Sequence, residues 1–191
     1  MTSYPLSGTE RRISLATVKQ QAFCRRVYAA ARALYEADPD NTVSPRFTTA
    51  QAMLESGWGD RAIGNNLFGM TVGSSWKGKS RLVRTTEYFT KAKKQLRAPE
   101  KVISVKAAGN GLYRYTVDRL FRDYSSLEEG LRDHNALFRK PMYADAWPRR
   151  LYAKEFARLI SDRNGARYAT DPNYYKTLCA MIDSVDRVIK G

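Results

Sequence analysis

Apolar residues recur at helical spacing in the first third of the chain. One repeated face consists of Phe23, Val27, Ala30 and Leu34. This spacing predicts a helix over about residues 17–36. A second helix is predicted from Ser44-Pro45 to Glu55, since a serine cap and a proline at the first helical position precede another apolar stripe. It should end at Ser56-Gly57-Trp58-Gly59, where glycines interrupt the pattern.

Helical spacing returns after residue 125. Ser126-Leu127-Glu128-Glu129 has the composition of a capping box and predicts the start of a helix. Its apolar face would carry Leu127, Leu131, His134 and Phe138. The position of His134 in this stripe favours a packed or capped histidine over a catalytic one. A further helix is predicted over about residues 154–164, and a last one begins at Asp171-Pro172.

The segment between residues 64 and 123 has a different pattern. Helical spacing stops, and β-branched and aromatic residues concentrate in residues 82–88, 101–106 and 112–118, which predicts three strands. Ala107-Ala108-Gly109-Asn110-Gly111 predicts a hairpin turn between the last two. The expected fold is therefore α+β and mainly α, a helical domain with a small β-rich lobe inserted over about residues 71–122.

Composition adds a strong positive charge to this picture. The 191 residues suit a single domain, and 33 Lys and Arg against 19 Asp and Glu give a formal net charge of +14. Residues 77–106 contain ten basic and two acidic residues, so more than half of the excess lies in the predicted lobe. Such a charge predicts an anionic partner: nucleic acid, an anionic membrane or the bacterial cell wall. A chain with 43% apolar residues can bury a core, which excludes intrinsic disorder.

Several classes of site are disfavoured by the sequence. Cys24, Cys179 and His134 form no cluster with metal-ligand spacing, so we expect neither a metal nor a cofactor. The two cysteines are predicted to be free, buried thiols rather than a disulfide.

No apolar run is long enough to span a bilayer, and residues 1–20 lack the apolar stretch of a signal peptide. Work outside the cytoplasm would then require another route of export.

Glu55 is the first candidate for chemistry. A carboxylate at the C-terminal end of an apolar helix meets the negative end of the helix dipole and has apolar neighbours. Both features raise its pKa. A carboxylic acid that stays protonated near neutral pH can protonate the leaving oxygen in glycoside hydrolysis. Trp58 would supply an apolar wall, and Gly57 and Gly59 would let the chain turn sharply. The ending of the helix alone is equally typical of a surface glutamate before a glycine cap.

Five blocks of sequence point to a known family. They are Ala50-Gln51-Ala52-Met53-Leu54-Glu55-Ser56-Gly57-Trp58-Gly59, Gly64-Asn65-Asn66-Leu67-Phe68-Gly69-Met70, Thr86-Glu87-Tyr88, Phe121-Arg122-Asp123-Tyr124 and Tyr168-Ala169-Thr170-Asp171-Pro172-Asn173-Tyr174. In this order the chain resembles glycoside hydrolase family 73, the endo-β-N-acetylglucosaminidases of bacterial cell-wall turnover, over about residues 47–189. The resemblance implies a lysozyme-like helical domain that hydrolyses the β-1,4 bond between N-acetylglucosamine and N-acetylmuramic acid in peptidoglycan.

The resemblance also implies roles for individual residues. Glu55 would be the general acid, and Glu87 would be a second catalytic acidic residue, unless the acetamido group of the substrate acts as the nucleophile. The substrate-binding residues would be Trp58, Asn65, Asn66, Phe68 and Tyr174. From the residues alone, Asn65-Asn66 is also typical of a turn, and Glu87 of an ion-paired strand residue. Residues 91–116 are longer and more basic than the usual connection in the family, so we expect a reshaped lobe.

Two alternatives to the peptidoglycan hydrolase stay open. One is a muramidase or lytic transglycosylase of the same fold, and the other is a non-catalytic basic module that binds glycan or nucleic acid. The preferred interpretation predicts a glycan strand as partner, no nucleic acid and no membrane insertion, with action in the periplasm or cell wall. The absent signal peptide suits a toxin effector with an immunity protein in its cleft, a phage-type lysin, or a flagellar enzyme.

Overall fold

A computed structural model of the chain describes residues 16–90, 92, 95–161, 168 and 173–191. These residues form five α-helices and three strands, in the order α1 (Val18–Ala37), α2 (Pro45–Ser56), β1 (Ser80–Phe89), β2 (Lys101–Gly109), β3 (Leu112–Arg122), α3 (Leu127–Leu137), α4 (Ala153–Ser161) and α5 (Tyr174–Lys190). The strands lie between the second and third helices. The α+β, mainly α fold expected from the sequence is therefore confirmed.

The helix boundaries follow from local capping. At α1 the Thr17 hydroxyl accepts from the Gln20 amide, and the Gln20 side chain accepts from the Thr17 amide, which completes a capping box. α2 ends at Gly57, whose φ of 57° is left-handed and costs a glycine little. At α3 only half of the predicted capping box forms, because the Glu129 carboxylate accepts from Ser125 instead of Ser126.

α2 is the central helix of the helical body. It packs against α1 on one side and α5 on another. Most of its residues are buried: Phe47, Thr48, Thr49, Ala50, Gln51, Ala52, Met53 and Ser56. The Phe47 ring meets the rings of Phe138 and Phe156 edge to face, at 5.5 and 4.9 Å between centroids. The C-terminal end of this buried helix carries Glu55 into a partly enclosed environment.

The described strands form one antiparallel sheet in the order β1-β3-β2. Asn110 and Gly111 connect β2 to β3, and their φ angles of 49° and 71° are those that a tight hairpin turn needs. The hairpin predicted from residues 107–111 is thus confirmed. Both β1 and β3 extend beyond the stretches that the sequence predicted, since β1 pairs with β3 along its whole length, from Ser80↔Arg122 to Phe89↔Tyr113.

The sheet is anchored to the helical body at its base. The amide of Val72 donates to the Leu120 carbonyl, and the amide of Arg122 donates to the Met70 carbonyl, both at 2.9 Å. The Arg122 guanidinium also donates to the Asp133 carboxylate of α3 at 2.6 Å, and the Tyr124 hydroxyl donates to the same carboxylate. One aspartate on α3 therefore holds the end of β3 and the segment that follows it.

The remaining expectations concern two helix ends, the cysteines, membrane-spanning helices and metal sites. The predicted end of the fourth helix, at residues 162–165, and the predicted start of the fifth, at Asp171-Pro172, lie outside the described residues. Cys24 is buried and Cys179 is partly buried, and both are free thiols. No helix in the described ranges is long and apolar enough to cross a membrane. Among those same residues, no cluster of three or more His, Cys, Asp or Glu side chains could hold a metal ion.

Candidate active site

Glu55 lies in the last turn of α2 with its carboxylate partly buried. Burial raises the pKa of this carboxyl, and it outweighs the hydrogen bond from Tyr174 and the positive charge of Arg61, which lower the pKa. The direction is the one expected from the sequence. A carboxyl whose pKa is raised can hold a proton close to neutral pH and deliver it to a leaving group.

Two tyrosines stand beside Glu55. Tyr174, the first residue of α5, is 6% exposed, and its hydroxyl donates to Glu55 Oε1 at 3.4 Å. The Tyr168 ring stacks on the Tyr174 ring with 5.7 Å between centroids. Burial raises the pKa of both tyrosines, and the Glu55 carboxylate adds to this effect. Both hydroxyls therefore stay protonated and can act as hydrogen-bond donors throughout the working range of pH.

Behind the tyrosines lie two buried polar side chains for which the sequence predicts no catalytic role. Gln51 stands one turn before Glu55 on α2, and its Nε2 donates to the Tyr174 hydroxyl at 2.6 Å. Its Oε1 lies 2.8 Å from Nε2 of His134 on α3. Both side chains are 0% exposed. The spacing of four residues between Gln51 and Glu55 was the available signal, since it places both on one face of a helix.

His134 is a packed histidine, as its place in an apolar stripe predicted. Its ring stacks on Phe68 with 3.6 Å between centroids and an angle of 9° between the planes, and it meets Phe138 edge on. Burial lowers the pKa of His134 to about 3. The ring is therefore neutral wherever the fold is stable, because charging it would place an unpaired cation in the core.

The loop that follows α2 holds Asn65, Asn66 and Phe68 with different degrees of access. Asn65 is partly exposed, and its amide donates to the Tyr124 carbonyl at 3.1 Å. Asn66 is 1% exposed, donates to the Met70 and Arg122 carbonyls and accepts from the Met70 amide. Phe68 is buried against His134. Asn66 and Phe68 thus brace the loop, and substrate contact by either would require the loop to open.

The neighbours described for Trp58 and Glu87 differ from those described for Glu55. Trp58 lines one surface cleft with residues of α1 and α5, and a second cleft with residues of α1 and of the turn after α2. Glu87 lies on β1 opposite Tyr115 of β3. Its carboxylate is 3.5 Å from Nε of Arg119, which also lies 3.1 Å from the Glu100 carboxylate. The ion-paired strand position foreseen as an alternative for Glu87 is therefore observed.

A family model matches most of the chain. The model described as glucosaminidase, mannosyl-glycoprotein endo-beta-N-acetylglucosaminidase, matches residues 31–187. The match covers α2, the sheet, α3, α4 and most of α5, and so includes Glu55, Gln51, His134 and both tyrosines.

The chain is similar to several curated proteins and solved structures, among them the following three. Peptidoglycan hydrolase FlgJ of Salmonella typhimurium is 36% identical over 144 residues, which are 71% of this chain and 38% of that protein. A probable N-acetylmuramidase of Lactococcus lactis subsp. cremoris is 30% identical over 93% of this chain and 36% of that protein. The chain thus spans less than half the length of these relatives. A solved glycoside hydrolase domain of Salmonella typhimurium FlgJ, C-terminally truncated, has a TM-score of 0.62 and 32% identity, covering 88% of this chain and 98% of that domain.

Proposed function

Because the chain belongs to the glucosaminidase family, glycoside hydrolase family 73, we propose that it hydrolyses the β-1,4 glycosidic bond between N-acetylglucosamine and N-acetylmuramic acid in peptidoglycan. The observation that carries this proposal is a single partly buried carboxyl, Glu55, with a raised pKa and a tyrosine hydroxyl beside it. The peptidoglycan hydrolase among the relatives supports the choice of glycan. Glu55 is the proposed general acid.

The proposed reaction requires one proton at the leaving oxygen. The glycosidic C–O bond breaks, the leaving oxygen takes the proton of Glu55, and water supplies a hydroxyl group to the anomeric carbon and returns a proton. The Tyr174 hydroxyl donates to the carboxylate that Glu55 becomes, which stabilises the charge formed in this step. Asn65, the more exposed asparagine of the loop, is the proposed donor to the hydroxyl or acetamido groups of the sugar.

The inserted lobe is proposed to form one catalytic unit with the helical body. Glu87 is its proposed second acidic residue, and its carboxylate, which lies 3.5 Å from Arg119 Nε, would orient an attacking water. The acetamido oxygen of the substrate is the alternative nucleophile, in which case Glu87 supports the strand through Arg119 and does not take part in the chemistry.

The first prediction concerns the acid. Glu55→Gln removes the proton that the leaving oxygen needs but keeps the shape of the side chain, so release of reducing ends from purified peptidoglycan should fall by about 10²–10⁴-fold. Glu36→Gln, at an exposed glutamate of α1 that pairs with Arg32, removes the same charge and should retain full activity. Substantial activity in Glu55→Gln would remove Glu55 from the acid role.

A muramidase is the second candidate, because one of the relatives bears that name. A lysozyme-like site with one acidic residue can serve either bond, so the geometry around Glu55 does not discriminate between them. Mass spectrometry of the muropeptides released by the unmodified protein shows which of the two bonds is cleaved. N-acetylglucosamine at the reducing ends supports the proposed bond, whereas muramic acid or its anhydro form at those ends supports a muramidase or a lytic transglycosylase.

A peptidoglycan hydrolase has to act in the periplasm or cell wall, and this is the proposed place of action. Three delivery routes are compatible with it: a secretion machine that carries a toxin effector, phage-type release, and flagellar assembly. The effector route predicts a cognate immunity protein that covers the cleft at Glu55. Toxicity on expression directed to the periplasm, and its suppression by co-expression of a neighbouring gene, would support the effector route over the other two.

A further inference from the structure

The buried side chains behind Glu55 form a continuous chain of hydrogen bonds. It runs from His134 Nε2 to Gln51 Oε1, from Gln51 Nε2 to the Tyr174 hydroxyl, and from that hydroxyl to Glu55 Oε1, with separations of 2.8, 2.6 and 3.4 Å. These hydrogen bonds join α3, α2 and α5, so they form only when the three helices are packed correctly. We propose that His134 and Gln51 are positioning residues that fix the direction of this chain, so that the Tyr174 proton points at Glu55.

The direction follows from which atoms can donate. The oxygen of Gln51 can only accept, so the proton between Gln51 and His134 must be on His134 Nε2. The nitrogen of Gln51 can only donate, and its side chain hydrogen-bonds both Tyr174 and Tyr168. The Tyr174 oxygen therefore accepts from Gln51, and its single proton is left for the Glu55 carboxylate.

The reverse direction is disfavoured by the surroundings of His134. Rotating the Gln51 amide by half a turn would make Gln51 accept the Tyr174 proton and would require the histidine proton on Nδ1. That nitrogen is buried, and within the described part of the chain it has no hydrogen-bond partner. A buried N–H without an acceptor is rare in folded proteins because it loses its bond to water and gains nothing. Stacking on Phe68 fixes the plane of the ring and so limits the directions in which this nitrogen could find one.

This proposal rests on the proposed acid role of Glu55, because the direction of the Tyr174 proton affects the protonation state of the Glu55 carboxyl. The groups that face Glu55 are Tyr174 of α5, Tyr168 before it, and Arg61 in the turn after α2. Among them the Tyr174 proton is the donor directed at the carboxylate. Loss of that donor leaves the charged form of Glu55 less stabilised, so its pKa must rise further.

The first test needs no substrate and so stands even if the proposed function fails. His134 is the one histidine of the chain, so the ¹⁵N spectrum of its imidazole contains a single residue once any affinity tag is removed. The neutral form protonated at Nε2 is expected at neutral pH in the unmodified protein and in Glu55→Gln. Protonation at Nδ1, or a charged imidazolium at neutral pH, would overturn the proposal.

The second test separates positioning from simple stability. His134→Phe keeps a flat ring against Phe68 and removes the donor, so Gln51 is free to accept the Tyr174 proton. The pKa of Glu55, followed through its carboxyl carbon by NMR, should rise, and kcat should fall by about tenfold with KM unchanged, because His134 and Gln51 are fully buried and do not reach the glycan. Phe156→Leu, a core substitution outside the chain of hydrogen bonds, should lower stability and leave the pKa of Glu55 in place.

A double-substitution cycle completes the test. Tyr174→Phe removes the donor itself, and it should raise the pKa of Glu55 in the same direction as His134→Phe. The two substitutions together should raise it no further than Tyr174→Phe alone, because they act through one bond. Additive rises, or a Glu55 pKa unchanged in His134→Phe, would show that His134 only fills space in the core. If the pKa shifts appear but peptidoglycan is not cleaved, the positioning holds and the proposed substrate is wrong.

Discussion

At the scale of single residues, Glu55 shows a conflict between stability and the proposed chemistry. Burial raises the pKa of its carboxyl, so the folded protein binds this proton more tightly than the unfolded chain does. Stability must then fall as pH rises above the unfolded pKa of about 4.3, because the folded state keeps a proton that the unfolded state releases. At neutral pH the fold therefore bears the cost of a poorly solvated carboxylate.

The corresponding prediction is that Glu55→Gln stabilises the protein at neutral pH. A neutral amide in the same place carries no charge to desolvate, so the melting temperature at pH 7 should exceed that of the unmodified protein, with the difference vanishing near pH 4. Glu36→Gln serves again as the control, since it removes a charge from an exposed ion pair and should give no gain. A lower melting temperature of Glu55→Gln at pH 7 would contradict the cost assigned to the buried carboxylate.

The residues of the site differ in how far the sequence could identify them. Glu55 and Tyr174 were found because they lie in motifs of a known family. The hydrogen bond between Gln51 and His134 could not be predicted from the sequence, because it joins positions 83 residues apart and depends on how α2 packs against α3. The sequence indicated correctly that His134 is buried, but an apolar stripe does not reveal which polar group a buried histidine meets.

At the scale of elements, the loop after α2 is fixed by its close approach to α3. Gly130, in the first turns of α3, lies so close to this loop that a methyl group on it would stand 2.7 Å from the Asn65 carbonyl oxygen and 3.1 Å from the Tyr124 ring. Asn65 in turn donates to the Tyr124 carbonyl. A glycine inside a helix is unfavourable on propensity alone, so its presence is explained by this contact.

Gly130→Ala is therefore predicted to destabilise the protein although alanine is the better helix former. Helix propensity alone would stabilise the variant by about 1 kcal/mol, whereas overpacking at a rigid carbonyl costs about 1–3 kcal/mol. The free energy of unfolding, from chemical denaturation, should fall, and KM should rise because the loop with Asn65 is displaced. Ala136→Gly, at an exposed position of the same helix, is the control for propensity and should leave KM unchanged. A more stable Gly130→Ala would show that the loop yields easily.

The elements themselves were largely predictable, but their partners were not. Periodicity placed all five described helices, although the Ser44 side chain makes no capping hydrogen bond, and residues 107–111 marked the hairpin. The extension of β1 to Phe89 and of β3 to Arg122 was missed, because those ends are held by pairing between strands that are distant in sequence. The capping box at Ser126 forms only in part for a similar reason. The amide and hydroxyl of Ser125 both donate to the Glu129 carboxylate, and the sequence pattern does not predict this competition.

At the scale of the whole molecule, the net charge of +14 is concentrated where it disfavours the sheet. Lys106 of β2 and Arg114 of β3 are exposed and stand directly opposite each other. Like charges in that position destabilise a sheet, so an anionic partner offers a reason for the arrangement. The proposed polyanionic cell wall would supply such a partner through non-specific attraction that weakens with salt.

The last prediction tests where this attraction acts. In a Glu55→Gln background, which leaves the wall intact, Lys106→Gln with Arg114→Gln should reduce sedimentation with purified walls several-fold at low salt, and the difference should disappear at about 1 M salt. Lys176→Gln with Lys190→Gln removes the same charge from exposed positions on α5 and should have a smaller effect. Equal losses in the two pairs would mean that only the total charge matters.

The way the sheet is attached has a consequence for how such proteins diversify. The chain leaves the helical body near Met70 and returns near Arg122, and backbone hydrogen bonds join the two points. A segment whose ends already meet can be lengthened, shortened or replaced at a small cost in loop-closure entropy, because the flanking helices keep their places. A different surface can therefore be grafted at this junction while the helix that bears Glu55 keeps its place.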